Sequence, residues 1–567
     1  MTQRPRIGVF LCHCGSNIAG HLNVPAVAEY VHTLPDVVYV QENMYTCSEA
    51  GLSEIREGIE QEQLDRVVVA ACTPRTHEPL FRDACREAGL NPYLFQFVNV
   101  RDQCSWVHMR EPESATQKAM DLVRMGIAKA RLLEPLEEQD VPVEPTALVI
   151  GGGMIGMTAA LNLANRGFDV KLVEREEDLG GLLLRLDKLY PTLDDALPLV
   201  EKLVSQVRSS PQLETFTAST LQEVKGFVGN YEAVVVDQEG RQSSFEVGTI
   251  IVATGASVLT PEGLYGYDGK RVITQLELED RFKAGQVKAN RVVMIQCVGA
   301  RIPERAYCSR ICCTTAIKNA LEIKATNPDT EIYILYRDTE TQGTRYEAFY
   351  TRAREAGIQF IRYSPQNPPE VSKDRVVVYD ELLTAKLAIP CDLVVLSTPL
   401  VAHEGVQELA QMLKVPVDEH GFFLEAHVKL RPLDFATDGV YVAGTARWPS
   451  HLEETITQAY GAAARAATIL SKDHVTSSGV VAQVNELMCR GCSRCIEICE
   501  FGAPSLVEVS PGMSVARVNP VMCKGCGACA SICPTGAMKA MHFTDAQVSA
   551  MVRAVLAEDV PVEDKKA

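Results

Sequence analysis

Two stretches, MCRGCSRCIEICE and MCKGCGACASICPTG, each carry four cysteines spaced C-x2-C-x2-C-x3-C: Cys489, Cys492, Cys495 and Cys499, then Cys523, Cys526, Cys529 and Cys533. Three thiolates on one short loop cap one side of an iron–sulfur cubane, and the fourth reaches the neighbouring cubane. The spacing predicts two [4Fe–4S] clusters, one held by Cys489, Cys492, Cys495 and Cys533, the other by Cys523, Cys526, Cys529 and Cys499. Zinc sites also use four ligands, but usually in two separated pairs. Pro534 follows the second run; Glu500 replaces that proline after the first and alters the local polarity.

A third set lies in CVGARIPERAYCSRICC: Cys297, Cys308, Cys312 and Cys313. Whether they are disulfides depends on the compartment. The N-terminal MTQRPRIGVFLCHCG lacks the small-residue cleavage pattern of a signal peptide, and no apolar run reaches the roughly 18 residues that span a bilayer. We read a cytoplasmic protein, whose thiols stay reduced, and the adjacent Cys312 and Cys313 would bond each other only with strain. Nineteen cysteines in a large reduced chain are metal ligands before they are bridges. This set has the ligand count for one cluster if Cys312 and Cys313 sit in a turn rather than a regular helix; four structural or redox thiols are the competing reading. A length of 567 residues, 46% of them hydrophobic, allows three to four domains with large cores. A net charge of −18 argues against nucleic acid as a partner.

The elements that must position these thiols begin with TALVIGGGMIGMTAALNLANRGFDVKLVERE, which reads strand, glycine turn, helix, strand. Gly151, Gly153 and Gly156 form G-x-G-x-x-G, opening a helix at Met154 and Ile155. The first glycine permits the tight turn, the second lets backbone approach a pyrophosphate, and the third lets helix and strand pack. Glu174, followed by Arg175, ends the second strand, where an acid holds ribose hydroxyls. IIVATGA, with Ala253, Thr254 and Gly255, DGVYVAGTA, with Gly444, and DLGGLLLRL, with Gly181, resemble the other flavin-contacting stretches of thioredoxin-reductase-like and glutamate-synthase-small-subunit-like flavoproteins. That order implies FAD. Such flavoproteins carry a second Rossmann unit for NAD(P)H. Here RVVMIQCVGAR puts Cys297 where its glycine-rich turn would start, so the nicotinamide site is read as replaced.

Residues up to about 135 alternate strand and helix, which predicts a parallel sheet with crossover helices. Cys12, Cys14, Cys47, Cys72 and Cys104 all follow strands and so share the sheet edge where ligands bind. A fourth cluster there is one reading, and small buried hydrophobes the other. Cys85 and Cys391 read as core, and Trp106 as packing. His13, His77 and His108, beside these cysteines, tune a cluster, contact a partner or simply hydrogen-bond their loops.

FLCHCGSNIAG, VVVAACTPRTHEPLFR, GLNPYLFQFVNVRDQCSWVH, the Cys297–Cys313 set and the paired C-terminal runs together resemble the A subunit of heterodisulfide reductase, its flavin-bearing electron-distribution component, over nearly the whole chain. The resemblance implies that Cys297, Cys308, Cys312 and Cys313 hold a cluster beside the flavin and that Lys318 stands near flavin N5, where it would stabilise anionic reduced flavin; a solvated helix residue is the bland alternative for Lys318. The methanogen form carries an inserted ferredoxin domain, absent here because no cysteine lies between Cys104 and Cys297.

The expected architecture is α/β: an N-terminal parallel α/β domain over 1–140, a thioredoxin-reductase-like FAD domain over 141–475 with an altered nucleotide-binding-like subdomain at 257–389, and a two-cluster ferredoxin domain over 476–567. A two-electron flavin flanked by one-electron clusters makes an electron switchboard, and the resemblance implies flavin-based electron bifurcation. It also implies other subunits of a heterodisulfide-reductase-like complex, an electron-input module linked to hydrogenase or formate dehydrogenase, and ferredoxin as partners, with homodimers inside a larger assembly. The alternatives are a non-bifurcating relay in a quinone-interacting complex, an NAD(P)H-dependent glutamate-synthase-like oxidoreductase, and a metal-stabilised scaffold.

Overall fold

The β-branched runs VVYVQEN, IGVFLC, RVVVAA and FQFVN form one four-stranded parallel sheet, in the order Val37–Asn43, Ile7–Cys12, Arg66–Ala71, Phe95–Asn99. Val9, Val67, Val68, Val69 and Phe95 are fully buried, as expected of a parallel sheet covered on both faces. The first two crossover helices, Val24–His32 and Glu49–Gln61, start on side-chain caps: Asn23 accepts from the Ala26 amide and Ser48 from the Gly51 amide.

This computed structural model describes residues 4–556. The chain divides into two units, Met1–Asp140 with Thr476–Ala567, and Val141–Val475. The N-terminal segment and the cysteine-rich C-terminal segment share one unit. Within it, helix Asp545–Leu556 packs on helix Pro112–Ala130, and the Gln547 amide donates to the Leu132 carbonyl at 2.9 Å.

The cysteine-rich segment of that unit is internally repeated. Strand Ala482–Val484 pairs antiparallel with Met538–Ala540, and Pro504–Ser510 with Met513–Val518. Short helices Arg494–Glu497 and Ala528–Ser531 occupy equivalent places, each entered through a left-handed residue, Ser493 and Gly527.

The second unit contains two similar sheets. One runs Val440–Val442, Thr249–Val252, Thr146–Ile150, Asp169–Val173, Leu213–Phe216, all parallel. The other runs Val272–Thr274, Leu393–Leu396, Arg291–Ile295, Glu331–Tyr336, Gln359–Arg362, also parallel, so this subdomain extends past residue 389. Each carries an accessory three-stranded antiparallel sheet. No helix among the described residues is long and apolar enough to cross a membrane.

Candidate functional site

The loop Gly151–Gly153 leaves strand Thr146–Ile150 and enters helix Met154–Ala164 at the floor of a cleft of about 960 Å³. Gly151, Gly153, Met154, Ile155, Glu174, Arg175, Gly181, Ala253, Thr254, Gly255 and Gly444 all line it. Gly156 does not. A Cβ there would stand 1.8 Å from the Gly151 carbonyl oxygen, so this glycine serves packing. A Cβ on Gly153 would meet nothing within 4 Å; it would occupy the open floor, where a pyrophosphate needs close backbone approach. Glu174 is buried, and its carboxylate accepts from the Gly152 amide at 2.6 Å and the Glu176 amide at 2.9 Å. It braces the loop and keeps lone pairs for a ribose. The donor set and the space fit FAD.

Reading the glycines did not reveal Tyr190, Ile311, Leu400 or His403, which also line the cleft. His403 Nδ1 and the Ser257 hydroxyl are 2.5 Å apart, and burial with nearby Arg175 holds this imidazole below its ordinary value. These residues come from segments without motif character, brought in by the tertiary fold.

In the second sheet, strand Arg291–Ile295 is followed by Cys297 in a left-handed conformation (φ 60°). The chain returns as helix Cys312–Thr326, so Cys312 and Cys313 open a helix rather than sit in a turn. In a first turn no preceding helical turn crowds the side chains. Burial lifts the Cys312 thiol, with Cys313, Cys297 and Cys308 adding to it. Burial takes Cys313 to about 12, again with Cys297 and Cys308 pushing upward. The four thiols therefore converge and resist simultaneous ionisation, which a bound cationic iron centre would relieve. Arg301 hydrogen-bonds Cys297. The set abuts the cleft: Ile311 lines it, and Tyr190, also on its wall, lies close enough to Cys312 to feel its charge.

Lys318 is not the solvated helix residue of the alternative reading. It is buried, does not line the cleft, and its ammonium donates to the Glu279 carboxylate and, at 3.1 Å, to the Lys188 carbonyl. Glu279 lies 39 positions away on another helix, a partner no local pattern reveals.

In the paired runs, burial and then Cys489, Cys492 and Cys533 raise Cys495. Burial and then Cys523, Cys526 and Cys499 take Cys529 to about 11. These are the two crossed sets that the spacing predicts. Amides of Ala516 and Ala482 donate to Cys489 and Cys523, each at 3.3 Å, equivalent bonds in the two halves of the kind that tune cluster potential. No group of three or more Cys, His, Asp or Glu among the described residues could hold a single metal ion. A cubane spaces its ligands around a larger body.

At the N-terminal sheet edge, burial and then Cys12 and Cys72 raise both Cys14 and Cys47. These four converge. Cys104 does not join them: its thiol donates to the Ala115 carbonyl at 3.0 Å, and burial lifts it to about 11. Its strand leads into a π-turn, Arg101–Ser105, that carries it inward. Trp106, read as packing, is 45% exposed with Arg101 stacked 4.5 Å over its ring. His13 bonds Glu42 at 2.9 Å, and His108 Nε2 lies 3.2 Å from Lys118 Nζ. Cys85 and Cys391 are core residues.

The family model described as pyridine nucleotide-disulphide oxidoreductase matches residues 145–466, and the one described as 4Fe-4S dicluster domain matches 488–537. The A subunit of the H(2):CoB-CoM heterodisulfide,ferredoxin reductase of Methanothermobacter thermautotrophicus is 40% identical over 90% of this chain and 92% of its own. An iron-sulfur A subunit of the CoB--CoM heterodisulfide reductase of Methanopyrus kandleri is 38% identical over 99% of each. The chain belongs to the family of heterodisulfide reductase A subunits. It is accordingly an oxidoreductase component that uses FAD and 4Fe–4S centres in electron transfer. The Methanopyrus alignment runs to 665 positions against a chain of 567, so that relative carries internal residues missing here. Among solved structures, Lactococcus lactis thioredoxin reductase is 18% identical, covers 57% of this chain and 97% of its own, and has a TM-score of 0.41.

Proposed function

We propose that this chain is the electron-splitting hub of a heterodisulfide-reductase-like complex, accepting electrons in pairs and passing them singly into two iron–sulfur branches. The observation that supports this most directly is the shared wall at Tyr190 and Ile311, where the dinucleotide cleft and the Cys297, Cys308, Cys312, Cys313 set meet. The second sheet keeps its strand order but offers Cys297 where a nicotinamide phosphate loop would stand, which speaks against an NAD(P)H-dependent oxidoreductase.

FAD supplies a carrier that exchanges electrons in pairs or singly, and each cluster accepts one. The protein's part is positional. The Gly151–Gly153 backbone would hold the pyrophosphate, Glu174 would hold the ribose, and Ile311 and Leu400 make the cluster side of the cleft apolar. Three thiol sets would hold one cluster each, the two crossed C-terminal sets and the set beside the cleft, and Cys12, Cys14, Cys47 and Cys72 would hold a fourth.

Relatives are named for hydrogen, formate, ferredoxin and the CoB-CoM heterodisulfide. We assign this chain the matching partners: other subunits of such a complex, a hydrogenase- or formate-dehydrogenase-linked input module, and ferredoxin, with the chain itself dimeric. A non-bifurcating relay is favoured by the internal residues that the relative has and this chain lacks. Anaerobic redox titration of the bound flavin separates the two. Strongly crossed one-electron potentials are expected for the hub, uncrossed potentials would establish the relay, and rapid bleaching by NADH would overturn both.

A further inference from the structure

Glu322 lies one helical turn beyond Lys318, on the same face of helix Cys312–Thr326. Lys318 is already engaged. Its ammonium donates to Glu279 and to the Lys188 carbonyl, while the other Glu279 oxygen accepts from the Asp187 amide at 3.0 Å. Glu322 receives no such donor. It is buried, and its Oε2 has no hydrogen-bond partner among the described residues. What it meets is the carboxyl of Asp187. Asp187 is half-buried; two ionised carboxylates are acceptors only, so a hydrogen-bonded contact between them requires a proton in common.

We infer that Glu322 and Asp187 form a proton-binding site behind the wall of the flavin cleft, loading a proton as negative charge enters the cleft and releasing it as that charge leaves. The inference rests on the cleft holding FAD. Arg185, Leu186 and Tyr190, on either side of Asp187 in sequence, all line the cleft. Charge added there therefore acts on the pair across one layer of chain, in surroundings that screen poorly.

The charged groups facing the pair are Lys318 from the same helix, Glu279 from helix Gln275–Lys283, and Lys188 from the loop beside Asp187. Burial and then the Asp187 contact lift Glu322 to about 8; Lys318 opposes this, and the charges of Asp187 and Glu279 add to it. Lys188 pairs with Asp195 at 2.6 Å, and Asp187 itself is only half-buried, so the site opens toward water on the Asp187 side. The proton comes from solvent and returns to it, electrons come from the chain's own electron transfer, and no covalent bond between heavy atoms changes.

The sign follows from the raised affinity. Around pH 8 Glu322 is partly deprotonated before negative charge enters the cleft, and reduction draws a proton in. The full chain, loaded with FAD and clusters, is tested by reduced-minus-oxidised infrared spectroscopy at about pH 8. A protonated-carboxyl C=O band should appear on reduction, shift in D2O, and vanish in Glu322→Gln. The flavin midpoint potential should fall with pH more steeply in the wild type than in Glu322→Gln across the same window. If Glu322→Gln does not fold, Asp187→Asn and the wild-type spectrum decide. Failure to bind FAD would sink the flavin reading and this inference with it. Bound FAD with no carboxyl band in the wild type, or with the band retained in both variants, would sink this inference and leave the flavin reading standing.

Discussion

Substitution of Gly153 by valine separates flavin binding from folding. The residue is the N-cap of helix Met154–Ala164, with φ −71° and ψ 179°, an extended conformation open to any amino acid. A Cβ there touches no protein atom within 4 Å. The apo protein should therefore keep its stability to within about 1 kcal/mol, since no contact is strained and the unfolded chain loses some freedom. A cofactor pyrophosphate would meet the new side chain directly. Losing two charge-assisted amide hydrogen bonds, at about 1.5–3 kcal/mol each, weakens FAD by about 3–6 kcal/mol, or roughly 10²–10⁴-fold. Gly156→Val is the contrasting control: its Cβ would lie 1.8 Å from the Gly151 carbonyl oxygen, so the fold itself must yield, at about 1–3 kcal/mol or more. FAD titration followed by flavin fluorescence, with thermal melts of apo protein at each addition, reads both quantities. Wild-type FAD affinity in Gly153→Val, or an unfolded apo variant, would refute the reasoning.

Cys313→Ser should lower bound iron by about one cluster with FAD retained; unchanged iron by anaerobic analysis would reject the set beside the cleft. Cys47→Ser should likewise remove about one cluster, whereas Cys104→Ala should leave iron unchanged, because the Cys104 thiol turns to the Ala115 carbonyl; equal iron loss in both would overturn that distinction. Lys318→Met strands the buried Glu279 carboxylate and should destabilise by about 3–5 kcal/mol, read by urea unfolding, with much of the loss recovered when Glu279→Gln is added. Burial, with Lys129 and Arg82 nearby, depresses His542 to about 3. The unfolded state then binds a proton that the folded state refuses, so stability falls as pH drops from about 6.5 toward 3, by about 1.4 kcal/mol per unit; His542→Phe should flatten that slope in acid unfolding curves.

The crossed C-terminal thiol sets and the glycine loop were legible because their partners lie within one short segment or one βαβ unit. At that range, spacing is geometry. The Cys12, Cys14, Cys47, Cys72 grouping was legible for a different reason: residues that end neighbouring parallel strands share an edge however far apart they are in sequence. Cys104 also follows a strand, but a π-turn redirects it, and turn type depends on packing rather than on residue identity. The surroundings of Lys318 were not legible, for the same physical reason on a larger scale. Its environment is set by Glu279 and by the backbone at Lys188, 39 and 130 positions away, and nothing near CCTTAIKNA announces either.

The two sheets of the second unit make the functional argument from opposite ends. After strand Thr146–Ile150, Gly151 turns at φ 109° and a helix N-terminus faces open space. After the equivalent strand Arg291–Ile295, Cys297 takes the left-handed turn at φ 60° and the next helix begins with two thiols. Both helix starts offer unpaired amides and a positive dipole end to an anionic group. A cluster held by four thiolates carries net negative charge, as a pyrophosphate does. The same local electrostatics can therefore seat either group, and on the proposed function a cysteine at the turn would convert a site for a diffusing hydride carrier into a fixed one-electron terminal without rebuilding the sheet. On this argument Cys297→Gly should abolish the cluster beside the cleft yet gain no NADH binding. Cys308, Cys312 and Cys313 would still fill the phosphate's place, and iron analysis together with NADH titration of that one variant checks both halves of the claim.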